Sequence, residues 1–200
     1  MRVKRVGGSA LLIECRDGEQ VEAWRAELWR HRAELGFTDL VPGARTILLD
    51  GVDLATERRL AQWEPAEGAA IAEGRLVEIP TTFGGEDLPD VAEMWGLTAA
   101  EAIERIVETP LIVAFCGFAP GFAYLRGLRE EWAVPRLPAP RPRVPAGSVA
   151  LAGAYAGIYP TASPGGWRLV GHTEQTLFDV RAEPPALLIP GTRVRLVPQR

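Results

Sequence analysis

Three blocks between residues 117 and 173 decide how this chain is interpreted. They read G-F-A-P-G-F-A-Y-L-R-G-L (117–128), P-R-L-P-A-P-R-P-R-V-P-A-G-S-V-A-L-A-G (135–153) and G-I-Y-P-T-A-S-P-G-G-W-R-L-V-G-H-T (157–173). Glycine lets the backbone approach a ligand closely, proline fixes the loop that carries it, and arginine offers a planar fork of donors for carboxylate or phosphate. This composition favours a surface that holds a ligand.

The same part of the chain lacks helical periodicity. Short apolar runs follow one another, each separated from the next by Gly and Pro, which is typical of a sandwich or a small barrel. We predict strands at 77–83, 111–115, 149–152, 167–170, 186–189 and 194–197. Two helices are predicted between the first two of these strands, one starting near Asp87 and one opened by the capping box that Thr98 and Glu101 form.

The first part of the chain alternates strands and helices. Apolar residues at steps of three and four predict a helix over 19–35 that ends at Gly36, and a second helix is predicted over 52–63. The fold class predicted is therefore an α+β N-terminal domain at residues 1–76, followed by a mainly-β barrel domain at residues 77–200.

Charge is unevenly distributed. Residues 1–110 carry 12 basic and 21 acidic side chains, whereas residues 111–200 carry 10 and 5. An anionic ligand or an acidic partner surface is therefore expected in the second half. Nucleic acid is not expected as a partner, because the whole chain has a net charge of −4. Lys4 is the only lysine in the sequence, which excludes a phosphate-binding loop of the G-x-x-x-x-G-K type.

Apolar runs and cysteines indicate the compartment. No run approaches the roughly 18 residues that a membrane span needs, so no membrane partner is expected. The apolar stretch near the start is broken by Glu14 and Arg16, which argues against a secretion signal. Cys15 and Cys116 belong to no metal-binding or redox motif, so they are interpreted as free thiols of a cytoplasmic protein.

Arginines of the proline-rich segment are the first candidate binding residues. Residues 135–145 contain five prolines and three arginines, namely Arg136, Arg141 and Arg143. A polyproline-type crossover with solvated arginines is one interpretation. The other, which we favour, is a stiff loop that presents guanidinium groups to an anion, because no acidic residue lies near them in the sequence.

Imidazole and hydroxyl groups supply the remaining chemistry. His172 is the imidazole that could exchange a proton in the positively charged half. Ser163 lacks a nucleophile-elbow motif, so we expect its hydroxyl to hydrogen-bond a ligand and not to attack it. We place Ser163 with His172 as the candidate catalytic residues. Carboxylates at 86–90 are interpreted as structural, with Mg²⁺ binding or base catalysis as the alternative, and no metal site is predicted.

These motifs, with T-T-F-G-G-E-D-L-P-D-V-A (81–92), closely resemble the allophanate hydrolase subunit 1 / KipI family. The resemblance is strong over about residues 75–200 and looser before that. It implies a cyclophilin-like barrel for the second domain. It also implies a heteromeric complex with an allophanate hydrolase subunit 2 protein, which corresponds to the C-type component of 5-oxoprolinase, together with an A-type component.

The activity that the resemblance implies is the ATP-dependent opening of 5-oxoproline to glutamate. ATP, with Mg²⁺ where needed, is the expected cofactor, on this subunit or on a partner. A lactam amide is a poor electrophile, and an arginine-rich, glycine-lined pocket suits the charge that develops in phosphoryl transfer. The anion-binding residues would be Arg136, Arg141, Arg143, Ser148, Tyr159, Gly165, Gly166 and Trp167, with His172 and Ser163 as the catalytic pair. The alternative is a regulatory binding protein that inhibits a sensor histidine kinase, as KipI does.

Overall fold

The structure is a computed structural model that describes residues 2–60, 63 and 74–199 of the chain. The chain divides into two compact units, Met1–Gly74 and Arg75–Arg200. This division lies two residues before the boundary that the sequence suggested. No helix among the described residues is long and apolar enough to cross a membrane.

The first unit is built on a four-stranded antiparallel sheet with the strand order β1-β2-β4-β3. Its elements are β1 (Arg2–Val6), β2 (Ala10–Glu14), α1 (Gly18–Arg30), α2 (Arg32–Leu35), β3 (Asp39–Pro42), β4 (Thr46–Asp50) and α3 (Leu54–Leu60). Alternating residues of β2 and β4 are buried, and they join Trp24 and Leu28 of α1 in one apolar cluster. The predicted helix over 52–63 is α3 within the described residues, and its positions 61–62 lie outside them.

The predicted helix over 19–35 is present but is divided in two at His31. Asp17 caps α1, since its side chain accepts a hydrogen bond of 2.8 Å from the backbone N–H of Gln20. Gly36 ends α2 in the left-handed conformation, with φ of 68°, as a C-terminal glycine usually does.

The second unit contains the other strands and two further helices. Its elements are β5 (Leu76–Phe83), α4 (Leu88–Trp95), α5 (Ala99–Glu108), β6 (Leu111–Cys116), β7 (Ala123–Arg126), a 3₁₀ turn (Glu130–Trp132), β8 (Arg141–Val144), β9 (Ser148–Ala152), β10 (Tyr155–Ile158), β11 (Ser163–Gly165), β12 (Arg168–His172) and β13 (Arg193–Pro198). Seven of these strands form a closed barrel in the order β10-β7-β6-β13-β5-β12-β9, and β8 and β11 form a separate two-stranded ribbon. The predicted strand at 186–189 is wrong, because only an isolated bridge between Ala186 and Phe178 forms there.

The barrel is closed by a parallel pair in a sheet that is otherwise antiparallel. β13 runs parallel to β5 from the Arg193–Leu76 pair to the Pro198–Thr81 pair. The same strand pairs antiparallel with β6. Because closure leaves no unpaired edge strand, the barrel needs no other sheet to protect its backbone groups.

The two helices of this unit pack on the barrel. Both hydrogen bonds of the predicted capping box at Thr98 and Glu101 are present at the start of α5, which confirms it. Trp95 of α4 and Ile106 of α5 belong to the same apolar cluster as barrel residues such as Ile79. Helices are therefore part of both units.

The predicted fold class, an α+β N-terminal domain followed by a separate, mainly-β cyclophilin-like barrel domain, is wrong as stated. The structure is a small protein organised around one seven-stranded barrel, with few and short helices. The two helices α4 and α5, which the sequence predicted, pack on β12 and β13. The parallel closure of strands more than 100 residues apart leaves no local signal in the sequence, which is why the pattern of Gly and Pro could not reveal it.

Candidate functional site

An aromatic cluster lies behind the β8–β11 ribbon. Phe122, Tyr159 and Trp167 are buried together with apolar residues of β8, β9 and β12. The ring of Phe122 stands edge-on to both neighbours, with centroid distances of 5.3 Å to Tyr159 and 5.5 Å to Trp167. Edge-to-face packing of this kind fixes ring orientation. The predicted wall residues Tyr159 and Trp167 are thus brought together.

The phenol of Tyr159 is held in a position that requires glycine at residue 165. A Cβ added to Gly165 would lie 2.2 Å from Oη of Tyr159. Burial raises the pKa of Tyr159, and a backbone hydrogen bond from Trp167 and the positive charges of Arg136 and Arg141 partly oppose that rise. The tyrosine is therefore a neutral phenol at physiological pH, in the field of two guanidinium groups.

Two of the three predicted arginines converge on this cluster. The guanidinium of Arg136 lies over the ring of Trp167, 5.9 Å from its centroid. Arg141 stands opposite Gly165 in the β8–β11 ribbon. Arg143, two residues further along β8, is exposed and makes no ion pair within the described residues. Arg136 and Arg143 are thus the arginines of this segment that are available to an anion.

Arg141 is not available to an anion, because it is already paired with two carboxylates. Its Nε lies 2.6 Å from Oε1 of Glu86, and its Nη2 lies 2.9 Å from Oδ1 of Asp87. The hydrogen bond to Asp87 and the two negative charges raise the pKa of the guanidinium. No sequence neighbour pairs with Arg141, as expected, but the conclusion that this arginine is free to bind an anion was wrong, because its partners lie 54 and 55 residues earlier in the chain. One nitrogen, Nη1, is buried without a hydrogen-bond partner in the described structure.

The carboxylates at 86–90 are the site residues whose role sequence reasoning missed. Asp87 does not cap α4 with its side chain. Its Oδ2 accepts a hydrogen bond of 2.7 Å from the backbone of Leu169, while its Oδ1 holds Arg141. Asp90 pairs with Arg168 at 2.9 Å, and Nε of Arg168 binds the carbonyl of Pro135. The sequence signal that could have revealed this role is an acidic motif at residues 86–90 in a chain that also has an arginine-rich segment at residues 135–145.

His172 and Ser163, the predicted catalytic pair, do not interact. Nε2 of His172 lies 2.8 Å from Oε1 of Glu174. The hydroxyl of Ser163 is buried and has no hydrogen-bond partner in the described structure. Gly147 lies directly under the imidazole, since a Cβ there would come within 2.6 Å of its Cε1. The catalytic roles of both residues remain predictions.

Ser148 and Gly166, two other predicted residues, serve the backbone framework. Ser148 is buried opposite His172 in the β9–β12 ladder, and its carbonyl accepts a hydrogen bond of 3.0 Å from the backbone of Tyr159. The carbonyl of Gly166 accepts one of 2.8 Å from Leu137, which fixes the proline-rich segment against the ribbon. Ser148 thereby links the imidazole strand to the aromatic cluster.

A cavity of about 510 Å³ lies elsewhere on this unit, between α5 and residues 127–132. Arg105 stacks on Trp132 there, 3.6 Å from the ring centroid. None of the predicted site residues lines it. Among the described residues, no three His, Cys, Asp or Glu side chains lie together as a metal site would need.

The chain belongs to the carboxyltransferase domain, subdomain C and D family, whose sequence model matches residues 1–188. The match includes the whole of the first compact unit and most of the second. The resemblance to the allophanate hydrolase subunit 1 family is confirmed by the curated relatives. One of them, the B component of 5-oxoprolinase from Escherichia coli O157:H7, is 37% identical over 98% of this chain and 94% of its own length.

Solved structures are similar to the chain along nearly its whole length. The crystal structure of TTHA0988 matches with a TM-score of 0.75 and 35% identity over 96% of this chain, which corresponds to 40% of that longer chain. A conserved uncharacterized protein from Pyrococcus horikoshii matches with a TM-score of 0.60 and 33% identity, over 99% of this chain and 97% of its own.

Proposed function

We propose that this chain is a subunit of a 5-oxoprolinase-type complex that opens 5-oxoproline to glutamate at the expense of ATP. The observation that carries the proposal is the 37% identity to a 5-oxoprolinase B component over nearly all of both chains. A second relative with the same name, from Bacillus subtilis, is 42% identical over 74% of this chain. The two free cysteines are in keeping with a cytoplasmic protein.

The contribution of this subunit is to bind the substrate's carboxylate. Arg136 supports this role because it is exposed, has no acidic partner within the described residues, and lies over the ring of Trp167, 5.9 Å from its centroid. Arg143 adds a second free positive charge on the same segment. Guanidinium groups bind carboxylates through paired hydrogen bonds, which suits a small substrate with one carboxylate. Tyr159 is a buried, neutral phenol within the electrostatic field of Arg136.

The described residues do not fit a nucleoside triphosphate with its metal ion. Arg141 is already neutralised by Glu86 and Asp87, so it offers little net charge to a triphosphate. Lys4 is the only lysine, and it pairs with Glu14. We therefore assign ATP binding to another protein of the complex.

The partners are the C-type and A-type components of the same complex. Support for a physically associated partner comes from TTHA0988, in which the part similar to this chain makes up 40% of one longer polypeptide. A polypeptide that joins two regions places them together permanently, whereas separate chains must associate. Regulation of a sensor kinase is not favoured, because the curated relatives carry the name of an oxoprolinase subunit.

The proposal is tested by reconstitution. The chain is mixed with the A-type and C-type proteins encoded in the same genome, and ATP hydrolysis is followed with and without 5-oxoproline. We expect hydrolysis that depends on 5-oxoproline and disappears when this chain is left out. Folded components that assemble but show no such dependence would contradict the proposal, and inhibition of a sensor kinase by the chain alone would support the regulatory alternative.

A further inference from the structure

Phe118 has an unusual backbone conformation. Its φ is +71°, and among the described residues it is the one non-glycine residue with positive φ. The backbone N–H of Ala119 donates a hydrogen bond of 2.8 Å to the carbonyl of Gly117, two residues earlier. A bond of this span around a residue with positive φ makes a γ-turn of the rarer, strained form. A bulky aromatic residue is poorly suited to this position.

The loop around Phe118 is held by backbone hydrogen bonds and close packing. Phe122 donates its backbone N–H to the carbonyl of Ala119 at 2.9 Å, and its carbonyl accepts from Gly117 at 3.2 Å. Gly121 is packed so closely on Phe178 that an added Cβ would approach its Cβ to 2.6 Å. The loop from Gly117 to Phe122 is therefore preorganised, and it keeps Phe118 in its strained conformation.

Stability of the fold does not account for the side chain. Phe118 is 62% exposed as a residue, so much of its apolar surface remains in contact with water. Glycine would adopt the same turn without strain. Backbone strain of this kind is concentrated at ligand clamps and active sites, where the surrounding structure enforces it. An exposed aromatic ring maintained at such a cost points to binding.

Phe118 stands beside the aromatic cluster of the candidate site. Its ring meets Phe122 edge-on at 5.2 Å and Tyr159 at 6.2 Å between centroids. Tyr159 in turn lies within the electrostatic field of Arg136 and Arg141. The rings of Phe122 and Trp167 also connect the two residues, since Phe118 packs on Phe122, Phe122 packs on Trp167, and the guanidinium of Arg136 lies 5.9 Å from the Trp167 centroid. An exposed aromatic ring and a free positive charge therefore border the same aromatic cluster.

We propose that Phe118 is a specificity-determining residue that contacts the ring of a cyclic carboxylate whose carboxylate group is held by Arg136. This inference rests on the proposed function, and it names the feature of the substrate that the site would recognise in addition to its charge. A small carboxylate without a ring would meet the arginine but not the phenylalanine, so it would bind independently of residue 118.

The test is a titration of the full chain followed by nuclear magnetic resonance. The probes are 5-oxoproline and cyclopentanecarboxylate, which share a five-membered ring and a carboxylate, and propionate, which has no ring. We expect Phe118→Gly to weaken binding of both cyclic probes about tenfold and to leave propionate unchanged. Phe118→Tyr should restore the affinity for cyclic probes. Met94→Ala, which removes an exposed apolar side chain from α4, is the matched control and should change nothing.

Several outcomes would overturn the inference. Equal affinity of Phe118→Gly and the unaltered chain for the cyclic probes would do so, as would no binding of any cyclic probe. Loss of assembly with the partner proteins, with probe binding intact, would make Phe118 a docking residue instead. Because cyclopentanecarboxylate needs no turnover, its titration remains decisive even if the reconstituted complex does not act on 5-oxoproline.

Discussion

The carboxylate of Asp87 joins Arg141 to the backbone of Leu169. Its Oδ1 lies 2.9 Å from Nη2 of Arg141, and its Oδ2 lies 2.7 Å from the backbone nitrogen of Leu169. Only 7% of the Asp87 side chain is exposed. This one carboxylate therefore connects the start of α4, the β8–β11 ribbon and strand β12.

Removing that carboxylate should destabilise the protein strongly. We expect Asp87→Ala to lower the free energy of unfolding by about 3 kcal/mol, because Arg141 and the Leu169 N–H both lose a largely buried partner. Glu86→Ala is the matched control, since Glu86 contacts the same guanidinium from an exposed position and should cost under about 1 kcal/mol. Urea denaturation measures both values. Equal losses for the two variants would contradict this interpretation of Asp87.

The contact between Gly165 and Tyr159 predicts a coupled pair of substitutions. Gly165→Ala should lower the free energy of unfolding by about 2 kcal/mol, because its Cβ would overlap Oη of Tyr159. In the Tyr159→Phe background the overlapping oxygen is absent, so the same change should cost at least about 0.5 kcal/mol less. Thermal or urea denaturation of the four proteins completes the cycle. Strict additivity would show that the two side chains do not compete for the same space.

The capping box at the start of α5 predicts a pH-dependent contribution to stability. Hydrogen bonds from the backbone and hydroxyl of Thr98 hold the pKa of Glu101 below its ordinary value of 4.5. A lowered pKa in the folded state gives stability that is present above that ordinary value and is lost as the pH falls through the folded pKa. Glu101→Gln should therefore reduce stability at pH 7 and have less effect at pH 3.

Glu104 provides the control for that measurement. It lies on the same helix and is exposed, and it takes part in no capping box. Glu104→Gln should have a small effect that differs little between pH 7 and pH 3. A pH dependence of the same size in both variants would mean that the general charge of the helix, and not the capping box, is responsible.

Cys116 should be chemically inert in the folded protein. Burial raises the pKa of its thiol to about 11, and Sγ donates a hydrogen bond of 3.4 Å to the carbonyl of Leu188. Because the thiolate is the reactive form, alkylation by iodoacetamide at pH 7.5 should be slow until the protein is unfolded. Mass spectrometry measures the rate. Cys116→Ala should retain activity in the reconstituted complex within about twofold, whereas rapid alkylation together with loss of activity would indicate a catalytic thiol.

Local sequence patterns predicted the features that depend on neighbouring residues. The capping box at Thr98 and Glu101 is present, and Gly36 ends α2 as expected. Patterns failed where a partner lies far away in the chain. Arg141 finds Asp87 over 54 residues, and β13 closes the barrel on β5 over more than 100. Neither pairing leaves a periodic signal.

In the candidate site, too, some features could be predicted from local sequence and others depend on residues far away in the chain. Residue types predicted the arginine segment and the aromatic wall, and the structure brings Arg136, Tyr159 and Trp167 together. The strain at Phe118 could not be foreseen, because the sequence G-F-A-P-G offers two glycines for positive φ, and only Gly121 adopts it, with φ of 82°, while Phe118 adopts it in place of Gly117. Which residue carries the strain depends on the packing of Gly121 against Phe178 and on the hydrogen bonds that close the loop.

The most direct test of the account is the KM for 5-oxoproline of the reconstituted complex with Arg136→Ala, compared with Arg195→Ala. Arg195 is exposed on β13 and pairs with Glu78, so it serves as a matched arginine outside the site. We predict that Arg136→Ala raises KM about tenfold or more, since a charged hydrogen bond to the substrate is lost, while Arg195→Ala leaves KM unchanged. An unchanged KM in Arg136→Ala, with the complex intact, would contradict the account.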